Sequence, residues 1–132
     1  MGLSRFVFAV ASFISVSGIA SAQGLHVVGP LPGYACMMLN LTEQQYMDGS
    51  VRVPVRAAPA PTAQDIGFAA TTVAVRAPEH IVNGFAEALF PTGQTVWIAA
   101  NMLRPYHSLS DPTMKCAPAK LSNGRPGFSY TH

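Results

Sequence analysis

Two cysteines, Cys36 and Cys116, four histidines and six acids are the side chains that could do chemistry in this chain of 132 residues. His26, His80, His107 and His132 stand in unlike segments, without the close spacing that metal sites show. Asp48, Asp65, Glu79, Glu87 and Asp111 are scattered, so no pair of carboxylates stands out for acid–base work. A cysteine nucleophile needs a free thiolate and a histidine beside it, and two cysteines bonded to each other leave no thiol to activate. "GLHVVG" and "NGRPG" are glycine-containing turns without the Lys-Ser or Lys-Thr of a phosphate-binding loop. The expectation is a non-catalytic chain with no cofactor and no metal.

The redox state of those cysteines depends on where the chain resides. Residues 1–22 have the form of a secretory leader: one positive charge by Arg5, the apolar run "FVFAVASFISVSGIA", and small residues at Ala20 and Ala22. Cleavage is expected after Ala22. The run is interrupted by serines and a glycine and falls short of the roughly 20 strongly apolar residues of a membrane span. The mature chain is then 132 less 22, or 110 residues, one small domain in the periplasm or secreted. In an oxidising compartment an even pair of cysteines implies one disulfide. Closing the 79 residues between Cys36 and Cys116 removes unfolded-chain entropy worth up to about 4 to 5 kcal/mol.

Loss of Arg5 leaves 7 basic against 6 acidic residues in the mature chain, a net charge of +1 without the basic face that nucleic acid requires. Those 13 charges in 110 residues are about half the usual quarter. A surface so poor in charge suggests that part of it is covered.

The elements that must position these residues follow from periodicity. Residues 23–50 are expected to be an irregular leader followed by one short helix over about 43–48, with Thr42 and Gln45 forming a capping box and Gly49 the stop. From Val51 the period becomes two. "VRVPVRA" is a strand that Pro54 assigns to an edge. "IGFAATTVAVRA", "FAEALF" and "TVWIAA" are three more, separated by "PEHIVNG" and the tight turn "PTGQ", and "NMLRPY" adds a 3₁₀ turn and a last short strand. Residues 107–132, rich in Pro, Gly and Ser, are expected to be an irregular tail pinned at Cys116.

The order "VPVRAAPAPTAQDIG … NGFAEALFPTGQTVWIAANML" resembles the bacterial SH3-like (SH3b) domain. The points of resemblance are Val55, Arg56, Pro59 or Pro61, Gly67, Phe85, Gly93, Trp97, Ile98 and Leu103, all within residues 51–106. Phe85 stands where that family usually has its first tryptophan, and Val96 where glycine is common before the second. The resemblance implies a mainly β fold with a small five-stranded SH3-like barrel over 51–106, to which the short helix and the disulfide-tied extensions read above are added. It also implies a peptide- or peptidoglycan-binding surface lined by aromatics, for which Tyr46, Phe68, Phe85, Trp97 and Tyr106 are the candidates. Alternation along "TVWIAA" sends Val96 and Ile98 to the core and Trp97 to the other face, under the chain's own extensions or a partner.

Two binding functions follow as expectations. One is an accessory subunit docked on a larger periplasmic or envelope protein, as small subunits of periplasmic dehydrogenases are. It draws on the low charge and the methionines of "CMMLNL", with packing of those methionines in the chain's own core as the alternative. The other is a peptidoglycan-binding module.

Overall fold

In the computed structural model, which describes Gly2 and residues 24–132, the chain folds as two antiparallel sheets and one helix. The expected secretory leader lies outside the described residues, apart from Gly2. The strands are β1 (Val27–Pro30), β2 (Tyr34–Leu39), β3 (Pro54–Arg56), β4 (Asp65–Phe68), β5 (Thr72–Arg76), β6 (Ile81–Val82), β7 (Phe85–Leu89), β8 (Thr95–Ala99), β9 (Leu103–Pro105), β10 (Lys115–Leu121) and β11 (Pro126–Thr131). The helix α1 (Glu43–Asp48) lies between β2 and β3, and a 3₁₀ turn, Ala100–Met102, links β8 to β9.

The large sheet runs β4-β3-β8-β7-β5-β2-β9, with β6 paired to β7, and its hydrogen bonding does not close. Eight strands therefore stand where five were expected. The small sheet, β1-β10-β11, is formed from the segments expected to be irregular. A hairpin explains the tail: Asn123-Gly124 sits at its tip, Gly124 takes φ +81°, and the Leu121 and Arg125 backbones close the turn at 2.9 Å. Pro118 lies inside β10, where it pairs with Phe128, and its carbonyl accepts from the Leu31 N–H at 3.1 Å. The leader likewise supplies β1 and β2, and β2 lies in the large sheet between β5 and the edge strand β9.

"IGFAATTVAVRA" divides into β4 and β5 rather than forming one strand. Pro54 is not on an edge strand, because β3 pairs with β4 on one side and with β8 on the other. It is tolerated as the strand's first residue, where β8 is reached only through Arg56 opposite Trp97. The helix has its capping box: the Gln45 N–H donates to the Thr42 hydroxyl at 3.2 Å and the Thr42 N–H to the Gln45 Oε1 at 2.8 Å. Gly49 ends it in the left-handed region at φ +63°.

The core is small and aliphatic. Val55 on β3, Val73 and Val75 on β5, Ala86 and Ala88 on β7, and Val96 and Ile98 on β8 form its centre, with Leu39, Leu41 and Val53 added from the β2–α1–β3 region. Cys36, Met38, Leu39 and Leu41 are buried, so four residues of "CMMLNL" pack inside the chain itself. Each of these core residues belongs to the large sheet or its loops; β1, β10 and β11 contribute none.

The Cys36–Cys116 disulfide is formed, joining β2 of the large sheet to β10 of the small one across a Cα–Cα distance of 6.0 Å. A chain carrying this bond belongs in a non-reducing compartment. Among the described residues no helix is long and apolar enough to cross a membrane.

Ile98 is fully buried, so Ile98→Ala should destabilise the fold by about 2 to 5 kcal/mol and Ile98→Val by only about 0.5 to 1.5 kcal/mol. Thr42→Ala, which removes one cap of a six-residue helix, should cost about 1 kcal/mol. Urea titration followed by the emission of Trp97 measures all three.

Candidate functional site

The five aromatic candidates divide among three places. Phe68 ends β4 and is 53% exposed, with the Arg52 guanidinium 5.3 Å from its ring centre. Phe85 and Trp97 share the outer face of β7 and β8, because Phe85 opposes Ala99 and Glu87 opposes Trp97 in the ladder. Tyr46 packs from α1 against the core beneath the Arg104 guanidinium, 5.6 Å from its ring. Tyr106 follows β9 and stands beside the disulfide, its ring 6.0 Å from that of Tyr130 on β11.

Phe68 lines an apolar cleft that enters the core. Its wall combines Val55 from β3, Leu89 and Phe90 at the end of β7, Val96 from β8, and Pro126 and Phe128 from β11. Thr72 is the one lining residue with a polar side chain, and the cavity is about 80 Å³. The cleft exists because β4 ends the large sheet without a partner on its far side, and the start of β11 stands against Phe90 and Pro91. Gly67 makes the close approach possible. It takes φ +153°, and a Cβ there would meet the Phe90 Cζ at 3.0 Å.

Trp97 has a polar surround. Arg56, its ladder partner on β3, bonds Asp65 at 2.7 Å and donates to the Ala63 carbonyl at 3.2 Å. On the other side the Glu87 carboxylate meets Arg76 through Oε2 at 3.2 Å and His80 through Oε1 at 3.3 Å. The Arg76 contact is an ion contact without hydrogen-bond alignment, and Arg76 is half exposed, so it adds little stability. The His80 ring meets Trp97 edge-on, 5.5 Å between centres. This contact, with the ladder on both sides, leaves the indole half-buried. The Asn83 amide, on a turn residue at φ +52°, donates to the Pro59 carbonyl at 3.0 Å and ties the β6–β7 turn to the β3–β4 loop.

A second, wider cavity of about 550 Å³ lies over the disulfide between Tyr34, Tyr106, Met114 and Pro118. Beyond it the C-terminal segment is pinned by Asp111. The Thr113 hydroxyl, donating at 2.7 Å, and then the Thr113 backbone N–H hold the Asp111 carboxyl below its ordinary range. Among the described residues no three histidine, cysteine or acidic side chains gather as a metal site would require.

Sequence reasoning had no access to Phe90, Pro126 and Phe128, which complete the cleft around Phe68. The period of two in "GFSYT" and the Asn-Gly turn before it were the signals for β11. Gly67→Ala places a methyl group against Phe90 in a backbone region that side chains avoid, and should destabilise the protein by about 1 to 3 kcal/mol. Thermal unfolding, compared with Gly29→Ala, where added atoms meet open space, measures the difference. Compared with protein-family models, with curated proteins and with solved structures, the chain matches none of them.

Proposed function

We propose that this chain is an exported, non-catalytic SH3-like module that serves as an accessory subunit of a larger periplasmic or envelope protein, docking through the cleft beside Phe68. The observation that carries this reading is the cleft's size and chemistry. A volume of about 80 Å³ with one polar side chain in its wall is too small for a cofactor or metabolite, whose sites run to about 300 Å³ or more. It suits a single apolar side chain of a partner protein, the arrangement of a buried interface anchor. A half-exposed Phe68 at the mouth supplies aromatic contact area at little entropic cost.

The five-strand run β9-β2-β5-β7-β8 supports the SH3-like part of the reading. In this run the 3₁₀ turn after β8 carries the chain to β9 beside β2 at the opposite end, the connection that an SH3-like strand order uses. The disulfide supports export, and the periplasm is the compartment we infer from the leader-like residues 1–22.

A second reading, peptidoglycan binding, draws on the Trp97 surface, where an indole is bordered by the Arg56–Asp65 and Arg76–Glu87–His80 groups. Sugars use an aromatic face with hydrogen-bonding groups around it, and this surface offers both.

Purification of the tagged protein from its native envelope tests the docking reading when Phe68→Asp is run in parallel. A stoichiometric partner that is retained by wild type and lost by a folded Phe68→Asp variant is the expected result; equal recovery by both, or no partner, overturns it. Sedimentation with purified peptidoglycan decides the second reading, which fails if the protein stays in the supernatant at low salt.

A further inference from the structure

We propose that the Cys36–Cys116 disulfide is a redox latch: a dithiol reductant opens it, the small sheet swings away from the large one, and the apolar cleft loses its β11 wall and widens into an exposed apolar face. The inference rests on the reading of that cleft as a docking site only for its purpose; the opening itself stands on the geometry.

Three observations carry it. First, the large sheet has a complete core of its own. The buried cluster from Leu39 to Ile98, and the half-buried residues packed on it, include nothing from β1, β10 or β11. Removing the small sheet therefore takes no side chain out of that core, and lays it open only along the cleft, where Val55, Val96 and Ile98 face β11. Second, the two sheets share no ladder, and among the described residues no backbone hydrogen bond joins them. Apart from the chain connections at 31–33 and 106–114, they meet through the disulfide and the packing of β10 beside β2 around it, the Tyr106–Tyr130 contact and the walls of the cleft. Third, the bond is reachable. Both cysteines line the open cavity of about 550 Å³, and Cys116 is the less buried of the two.

The consequence for the cleft follows from its wall. Pro126, Gly127 and Phe128 of β11 form one side, and β11 is carried by β10, which holds Cys116. Movement of this hairpin away from the large sheet leaves Phe68, Phe90 and Leu89 facing solvent or a partner.

The chemistry balances as ordinary exchange. A thiolate of the reductant attacks the Cys116 sulfur, forming a mixed disulfide and expelling Cys36 as thiolate, which takes up a proton. The second thiol of the reductant then displaces Cys116 and gives up its proton. The protein gains two electrons and two protons, and the reductant leaves as its own disulfide. A protein dithiol is the reductant class required, since a paired second thiol resolves the mixed disulfide quickly.

The full mature chain, oxidised, is treated with dithiothreitol under native conditions, and three signals are followed. Trp97 and its partners lie wholly in the large sheet, so its emission reports that sheet alone. Amide exchange over Lys115–Leu121 and Pro126–Thr131 reports the small sheet, and anilinonaphthalene sulfonate reports exposed apolar surface. Expected are exchange faster by about tenfold or more in β10 and β11, dye emission raised about twofold or more, unchanged Trp97 emission, and reversal on reoxidation. Cys36→Ser with Cys116→Ser should show the open behaviour without reductant. Three results overturn the latch: a bond that stays intact under native reduction, reduction that leaves exchange unaltered, or loss of the Trp97 signal together with that of the small sheet. Recovery of a partner by oxidised and reduced protein is a separate readout and bears on the docking reading alone, so the two can fail independently.

Discussion

The register of β8 is the constraint on which the large sheet depends. Val96 and Ile98 point to the core and Trp97 points away, and a slip of one residue would exchange them, placing an indole in a core built for valine and alanine. With that register set, Ala86 and Ala88 on β7 lie across from Ile98 and Val96, and the small side chains let β7 and β8 approach the opposing Val55, Val73 and Val75 closely. The outer face follows from the same choice: Glu87 falls opposite Trp97 on one side and Arg56 on the other. The core and the polar surround of the tryptophan are therefore two consequences of one alternation.

The small sheet is a different kind of structure. Its strands carry prolines at positions 30, 118 and 126 and expose Val27 and Val28, and only Ala119 is fully buried within it. Three short strands without a core of their own are marginal in water. Covalent attachment at Cys116 and the packing of Phe128 against the cleft compensate for what the sheet lacks. The same division explains why the cleft exists, since the hairpin contributes a wall to it and no filling.

Local rules made part of this legible in the sequence. The capping box at Thr42, the turn at Gly93, the period of two in β7 and β8 and the disulfide each depend on a few nearby residues or on a count, and the structure contains all of them. The strands of the tail are masked in the sequence by its Pro, Gly and Ser content, which outweighs one Asn-Gly pair, although Pro118 can occupy β10 where its carbonyl still finds the Leu31 N–H. β2 was assigned to an irregular leader because its neighbours, β5 and β9, come from distant sequence and its glycine-rich approach masks the strand. The cleft was the least legible feature. Phe68, Phe90 and Phe128 meet only through the tertiary arrangement, and no spacing in the chain encodes that meeting.

The low charge of the chain has a spatial form. Arg56, Asp65, Arg76, Glu87 and His80 cluster around Trp97, pairing among themselves, so much of the chain's limited charge is concentrated on one face. Charges spent in pairs at a half-buried indole give little solvation elsewhere. The cleft side retains Arg52, whose guanidinium lies over Phe68 rather than against a carboxylate. An exposed cation on an aromatic face is held by only about 0.5 to 1 kcal/mol, so it can leave that face at small cost. The arrangement keeps a charge beside an apolar opening while leaving that opening free to be covered.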